Sequence, residues 1–234
     1  MSTNTVVRRG AAGLLAVVAT VASTWGYHDD REAGRQLDVT VVAAATADEP
    51  SASDDALEVR SLGGRSVTVQ SSSTATSDCD GCTSTASAVT VTYVSGARTT
   101  RADNVAAAWS TCVGCASRTA SVQVVVLRRP TDLHATNRAL ALNASCDGCT
   151  TTSVAYQLVV LAPGGRSLDR RALADLAAWA EQVASEANGA PAQRSLRAAP
   201  SSPDRHLADL EDQVSAALGP VTTVRADVDT SAPG

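Results

Sequence analysis

The sequence predicts a mainly β protein with an α-helical C-terminal region. Three observations lead there. A Cys-x-Gly-Cys unit occurs three times, with first cysteines 33 and 34 residues apart. Each unit is followed by a run in which Thr, Val, Tyr and Gln alternate. Beyond residue 167, two stretches carry apolar stripes at helical spacing. A fixed period of this length makes each copy one supersecondary unit.

The chain opens with a short basic stretch, Arg8-Arg9, followed by 18 uncharged residues from Gly10 to Tyr27 around the apolar core AAGLLAVVATVA. A basic start, an apolar core and small residues at Thr20, Ala22 and Ser23 form the pattern of a secretory signal. The run is also just long enough for an uncleaved anchor, and the flanking charge would leave its N-terminus in the cytoplasm. Residues 1–27 are therefore expected to be a signal peptide or signal anchor. The protein is expected to be exported, either secreted or held on the outer face of the cytoplasmic membrane. Residues 28–60 hold Asp29, Asp30, Glu32, Asp48, Glu49, Asp54, Asp55 and Glu58 and are expected to be an acidic disordered linker. The exception is LDVTVVAAA at 37–45, which reads as a stray strand.

The repeat domain is expected over 61–163. After the second cysteine of each copy come TSTASAVTVTYV, ASRTASVQVVVL and TTTSVAYQLVVL. Val89, Val91 and Tyr93 share one strand face, matched by Val122, Val124 and Val126 and then by Tyr156, Leu158 and Val160. The other face carries Thr90, Gln123 and Gln157, then Val125 and Val159. Such alternation is strand-like. The arms before the second and third copies, DNVAAAWST and NRALALNAS, alternate less cleanly. Two arms around a tight x-Gly turn suggest a hairpin, so the expected architecture is three β-hairpin-like repeats in one antiparallel sheet.

Gly81, Gly114 and Gly148 occupy the same slot, while the residue before them varies (Asp80, Val113, Asp147). The slot thus calls for positive φ, and the carboxylates are turn residues rather than catalytic acids. A four-residue turn brings its ends within about 7 Å, close to the roughly 4.4–6.8 Å a disulfide spans. The expected site residues are Cys79 with Cys82, Cys112 with Cys115, and Cys146 with Cys149, as three local disulfides. Each would add about 2 kcal/mol in the chain-entropy model. Two alternatives stand beside this. Two cysteine pairs could bind zinc, although the gaps of 29 and 30 residues exceed a zinc ribbon's usual spacing. A Cys-x-Gly-Cys pair could also be redox-active, although strands rather than helices follow each one.

Over 164–219 two amphipathic helices are expected. Ser167 caps the first, whose stripe is Leu173, Leu176, Ala180, Val183 and Ala187, with Trp179 beside it. Ser202-Pro203 opens the second, with Leu207, Leu210, Val214, Ala217 and Leu218 on one face and Gly219-Pro220 as its stop. Residues 220–234 are expected to be a flexible tail.

Composition bounds the function. The 234 residues include no Phe, three Trp, three Tyr and one Met, and the formal net charge is -5. All 19 basic residues are Arg. The acidic balance and scarcity of rings argue against nucleic acid as a partner. Without lysine there is no P-loop and no Schiff base. The three histidines are scattered: His134 is expected in an exposed inter-repeat loop and His206 on a surface helix. No catalytic residue, metal site or cofactor is expected. Asn143-Ala-Ser145 is a formal glycosylation acceptor but reads as accidental. The partner is unknown, with self-association or an envelope protein at the sheet edges as the expectation.

TCVGCASRTASVQVVVL, then NRALALNASCDGCTTTSVAYQLVVLAPG and a helical segment, resemble an actinobacterial family of exported or membrane-attached proteins. That family repeats a C-x-x-C-x-T-x-A-x-A-x-Q-V-V-like unit and has no established activity. The resemblance covers about residues 65–218, and the first copy departs from it at Thr90. Some members are labelled peptide zinc metalloproteases, but the zinc-binding helix motif of such enzymes is absent here. The resemblance implies compartment and architecture. It also leaves room for an accessory role in peptide processing or export.

Overall fold

The computed structural model describes residues 4–9, 35–186 and 202–233. Its strands are β1 (Asn4–Arg9), β2 (Gln36–Ala45), β3 (Ser51–Gly63), β4 (Ser66–Ser77), β5 (Thr83–Ser95), β6 (Thr99–Ser110), β7 (Ala116–Leu127), β8 (Asp132–Asn143), β9 (Thr150–Leu161) and β10 (Thr222–Ser231). Between β9 and β10 lie helices α1 (Arg170–Glu186) and α2 (Pro203–Leu218). The mainly β class with two C-terminal helices is as expected.

The topology is not. The strands form two five-stranded sheets, ordered β1-β2-β4-β6-β8 and β10-β9-β7-β5-β3. Every pairing is parallel except that of β10 with β9. The two arms around each cysteine turn therefore do not pair with each other, as hairpin arms would. They enter different sheets, and each pairs with its counterpart one repeat later: Thr90 with Gln123 and Gln123 with Gln157, Val91 with Val124 and Val124 with Leu158. The protein is a parallel β-solenoid, and the expected antiparallel hairpin sheet is corrected accordingly. Its repeat is one full circuit of the chain, so stacking places like residues on like.

The physical reason lies in the strands after the cysteines. Hairpins with one solvated face need polar residues outside, whereas runs such as QVVVL and QLVVL are apolar on both sides. Strands buried on both faces suit a covered parallel sheet. In β5, β7 and β9 nearly every residue is buried. Val89, Val91, Tyr93, Val122, Val124, Tyr156 and Leu158 face α1 and α2, whose Leu176, Trp179, Ala180, Val183, Leu210 and Val214 close over them. The opposite face of the same strands points into the solenoid.

Among the described residues there are four circuits, not three. β2 and β3 form the first, with Gln36 aligned to Thr68 and Ser51 to Thr83. The expected disordered linker over 28–60 is corrected over 36–60, where the acids at 48–58 sit in a turn and on β3, while 28–34 lie outside the described residues. The 37–45 strand is real. This circuit lacks cysteine, turning instead through Thr46-Ala-Asp-Glu-Pro50, where Thr46 and Glu49 exchange backbone hydrogen bonds of 3.0 Å. The expected flexible tail is also corrected. β10 runs antiparallel along β9, and its Asp229 and Ser231 side chains accept hydrogen bonds from the backbone N–H groups of Ala139 and Ala141 on β8, at 2.8 and 3.0 Å. The last circuit's open edge is thereby partly closed.

Both helices begin, and α2 ends, close to the sequence reading; Ala187 of the first stripe lies outside the described residues. Ser202 caps α2, its Oγ accepting from Arg205 N at 3.3 Å, and Gly219 ends the helix at φ 80°. For α1 the capping side chain is Asp169, which accepts from Ala172 N at 2.8 Å, rather than Ser167. Of the expected export segment, residues 4–9 form β1, and 1–3 and 10–27 lie outside the described residues. Among the described residues no helix is long and apolar enough to cross a membrane.

Inside, the two sheets stand close enough that small and polar side chains fill much of the space. Near the cysteine edge Ser77, Ser84, Ser110, Ser117 and Thr151 form a hydroxyl chain with links of 2.9–3.1 Å. Mid-way, Asn104 donates to Asn137 at 2.8 Å, and Gln157 donates to Gln123 at 2.8 Å. Stacked amides of this kind bond along the solenoid axis, as in other in-register parallel stacks. At the far edge Leu37, Val39, Val67, Val69, Val125, Leu127 and Val159 form an aliphatic cluster. An interior of Ala, Ser, Val and short amides explains a core without phenylalanine.

Candidate functional site

The cysteine turns are the corners by which the chain passes from one sheet to the other. Parallel strands sit about 4.8 Å apart. The three corners therefore stack directly: Thr83 aligns with Ala116, and Ala116 with Thr150. Within each corner the cysteines are joined, with Cα–Cα distances of 5.3 Å for Cys79–Cys82 and 5.9 Å for both Cys112–Cys115 and Cys146–Cys149. These separations fall inside the disulfide range.

The glycine slot behaves as expected. Gly81, Gly114 and Gly148 have φ of 70°, 67° and 68°, and a Cβ built at any of them would meet nothing within 4 Å. Backbone conformation, not space, is what the slot requires. Each corner also bonds to the next. Gly81 N donates to Val113 O and Gly114 N to Asp147 O, both at 2.8 Å. Asp80 accepts from Val113 N at 2.9 Å, which makes it a turn residue with a cross-circuit partner.

The corners are not identical. The third has one more residue before its first cysteine, and Ser145 there adopts φ 53°. This accounts for the longer spacing between the second and third copies. In this part of the edge the Sγ atoms of Cys115, Cys146 and Cys149 all lie within 4.8 Å of one another. Cys115 is buried, whereas Cys146 and Cys149 are half-buried. Cys112 O lies 2.6 Å from Cys146 Sγ and 2.8 Å from Cys149 Sγ.

Other sequence candidates settle into structural places. His134 is on the outer face of β8 rather than in a loop, exposed, with Nε2 3.5 Å from the equally exposed Asp132. His206 is not on the surface. It is 7% exposed, its Nε2 is 3.1 Å from Glu186, and its ring stands edge-on to Trp179. Its spacing of four from Leu210, and of four again to Val214, places it on the buried stripe and could have revealed this. Asn143 faces inward and accepts a hydrogen bond from Thr151, which fits an accidental acceptor sequence. Tyr156, under α1, packs at 5.2 Å from Trp179, and burial, then the charges of Glu186 and Asp204, push its hydroxyl well above the ordinary tyrosine range.

Sequence reasoning also missed a surface. Among the described residues no helix covers the outer face of β2, β4, β6 and β8. There Trp109, Leu140 and Leu142 are 41%, 59% and 53% exposed, with Trp109 directly beside Leu142 in register. The alternation in DNVAAAWST and NRALALNAS carried the signal, since both place large apolar residues on the phase opposite to the inward alanines. No family model matches the chain, and neither a curated protein nor a solved structure shows significant similarity to it.

Proposed function

We propose that the protein is an exported, non-enzymatic module of the cell envelope, a short β-solenoid stapled by three local disulfides that gives structural support or offers a contact surface to other envelope components. The observation that carries this reading is the cysteine edge: six cysteines at three stacked corners, each pair within disulfide reach. Such staples persist in an oxidising compartment and are rare in a reducing one. The basic start and uncharged run of residues 8–27 point the same way. The interior polar groups also favour a supporting role. Gln157 Nε2 is shared among Gln123 Oε1, Thr136 O and Ala102 O at 2.8–3.1 Å, so it ties circuits together.

Alkylation of the native protein without reduction, read by intact mass alongside cell fractionation, tests the proposal. The expected result is a chain outside the cytoplasm that takes up no alkyl groups until a reductant is added. A cytoplasmic chain with six freely reactive thiols would overturn it.

A further inference from the structure

At the end of the helix layer nearest the cysteine edge, a cavity of about 210 Å³ opens between α1, α2, β9 and β10. Thr152, Val154 and Tyr156 of β9 line it, with Val183 and Glu186 of α1 and His206 of α2. Two polar atoms on these residues are left over. The hydroxyls of Tyr156 and Thr152 are buried and have no hydrogen-bond partner among the described residues. Tyr156 itself is 0% exposed. Packing does not call for a polar tip at its position, because the residues aligned with it along the solenoid are Val122 and Val89. An unbonded buried hydroxyl carries a desolvation cost that a bound partner removes. We propose that this cavity binds one small organic ammonium ion, whose N–H groups donate to the Tyr156 and Thr152 hydroxyl oxygens and whose carbon body lies against Val154 and Val183.

The lining selects the sign of the ligand's charge. Glu186 contributes a carboxylate, which holds His206 Nε2 at 3.1 Å and accepts from Gln182 Nε2 at 2.6 Å. No arginine is among the described lining residues, and the chain has no lysine. The N-terminal end of α2 alone would favour an anion, but Asp204 stands in its first turn and offsets it. Burial, then the charges of Glu186 and Asp204, push the Tyr156 hydroxyl well above the ordinary tyrosine range. The hydroxyl therefore stays protonated, and its tip stands in a negative field. A cation relieves that field, whereas a carboxylate would add to it. The rings of Tyr156 and His206, both packed on Trp179, add surface of the kind that attracts organic cations.

The volume sets the ligand's size. It exceeds the about 30 Å³ that one water takes up in the liquid. It is below the roughly 300–1,000 Å³ of sites for drug-sized molecules. A short alkyl ammonium fits between these limits. Binding here requires neither export nor an envelope location, so this inference stands or fails separately from the envelope reading.

The test titrates the full, oxidised chain with n-butylammonium, n-butanol and butyrate, followed by nuclear magnetic resonance shifts and calorimetry. The expected result is saturable binding of one n-butylammonium per chain, with shifts centred on Tyr156, Val183 and His206. n-Butanol, which lacks the charge-assisted hydrogen bond, should bind at least about 10-fold more weakly, and butyrate should not bind. Tyr156→Phe keeps the ring and removes the hydroxyl, and should weaken n-butylammonium binding by about 10-fold or more. Glu186→Gln should weaken it too and reduce its dependence on salt. Tyr93→Phe removes a hydroxyl at the opposite end of the helix layer, where it is bonded to Leu168 N, and should leave binding unchanged. Circular dichroism checks that each variant keeps its fold. A cavity that holds water only, read as no saturable uptake of n-butylammonium, would overturn the proposal. So would equal binding of butyrate, or undiminished binding by the Tyr156→Phe chain.

Discussion

The two edges of the solenoid hold the same circuits by different means. At the cysteine edge the interior of the last three circuits is a chain of serine and threonine hydroxyls, and their corners are three copies of one turn, each closed covalently, whereas the first circuit turns without cysteine beside Ala43, Ala45 and Ala52. At the far edge the interior is aliphatic, from Leu37 and Val67 to Val159. The turns there differ from one another, with Gly96 in one and Arg128-Arg129-Pro130 in another. Backbone hydrogen bonds climb both edges: Ala116 N to Cys82 O at 2.8 Å on one, Asp132 N to Arg98 O at 2.8 Å on the other. A narrow interior buries few methyl groups per circuit. Where it can bury them, the turns are free to vary. Where it holds hydroxyls instead, the turn is fixed and stapled.

The contrast can be broken from either side. The largest effect is expected at the aliphatic edge. Leu127, buried among Val94, Val125 and Val159, should cost about 2–5 kcal/mol on truncation to Ala, measured by denaturant unfolding under both oxidising and reducing conditions. The loss should be similar in both. Replacing Cys112 and Cys115 together by Ser should cost about 2 kcal/mol when oxidised, the value for closing so small a loop, and much less when reduced. If Leu127→Ala also lost its effect on reduction, the edges would not be independent.

Smaller effects sharpen the comparison. Gly114→Ala should cost roughly 1–2 kcal/mol, from left-handed backbone alone, because φ is 67° and the space around it is open. The smallest concerns Asp103 on the uncovered face of β6. Burial raises its pKa, but the Thr136 hydroxyl and the Arg101 guanidinium outweigh this and hold the carboxyl below its ordinary value. A lowered folded-state pKa contributes stability above the unfolded value of about 3.9, lost as the pH falls through the folded value. Thr136→Val should therefore cost at most about 1 kcal/mol near neutral pH, shrinking toward zero in acid. A cost that persists in acid would point to packing rather than to the carboxylate.

What could be read in the sequence follows from what alternation encodes. It assigns residues to faces, and the two faces of β5, β7 and β9 are those expected: Val89, Val91 and Tyr93 under the helices, Thr90, Gln123 and Gln157 inside. The glycine slot and the cap at Ser202 were equally legible, because each depends on a local conformation. Alternation does not name a strand's partner. A tight turn between two strands fits a hairpin and a corner alike, and only the doubly buried QVVVL run favoured the corner. The first circuit was hidden because it carries no cysteine and its acids resemble a linker. Among the site residues, the three pairs were legible from spacing. The convergence of Cys115 with Cys146 and Cys149 was not, since it depends on parallel stacking.

That stacking is the claim on which the staples' common edge rests, and with it the approach of Cys115 to the Cys146–Cys149 pair. Inter-strand backbone NOEs in the oxidised full chain test it most directly. Parallel circuits predict contacts of Val122 with Val89 on one side and Tyr156 on the other, and of Ala107 with Thr74 and Leu140. Contacts that join the two arms across a cysteine turn, such as Ala107 with Ala120, would contradict it.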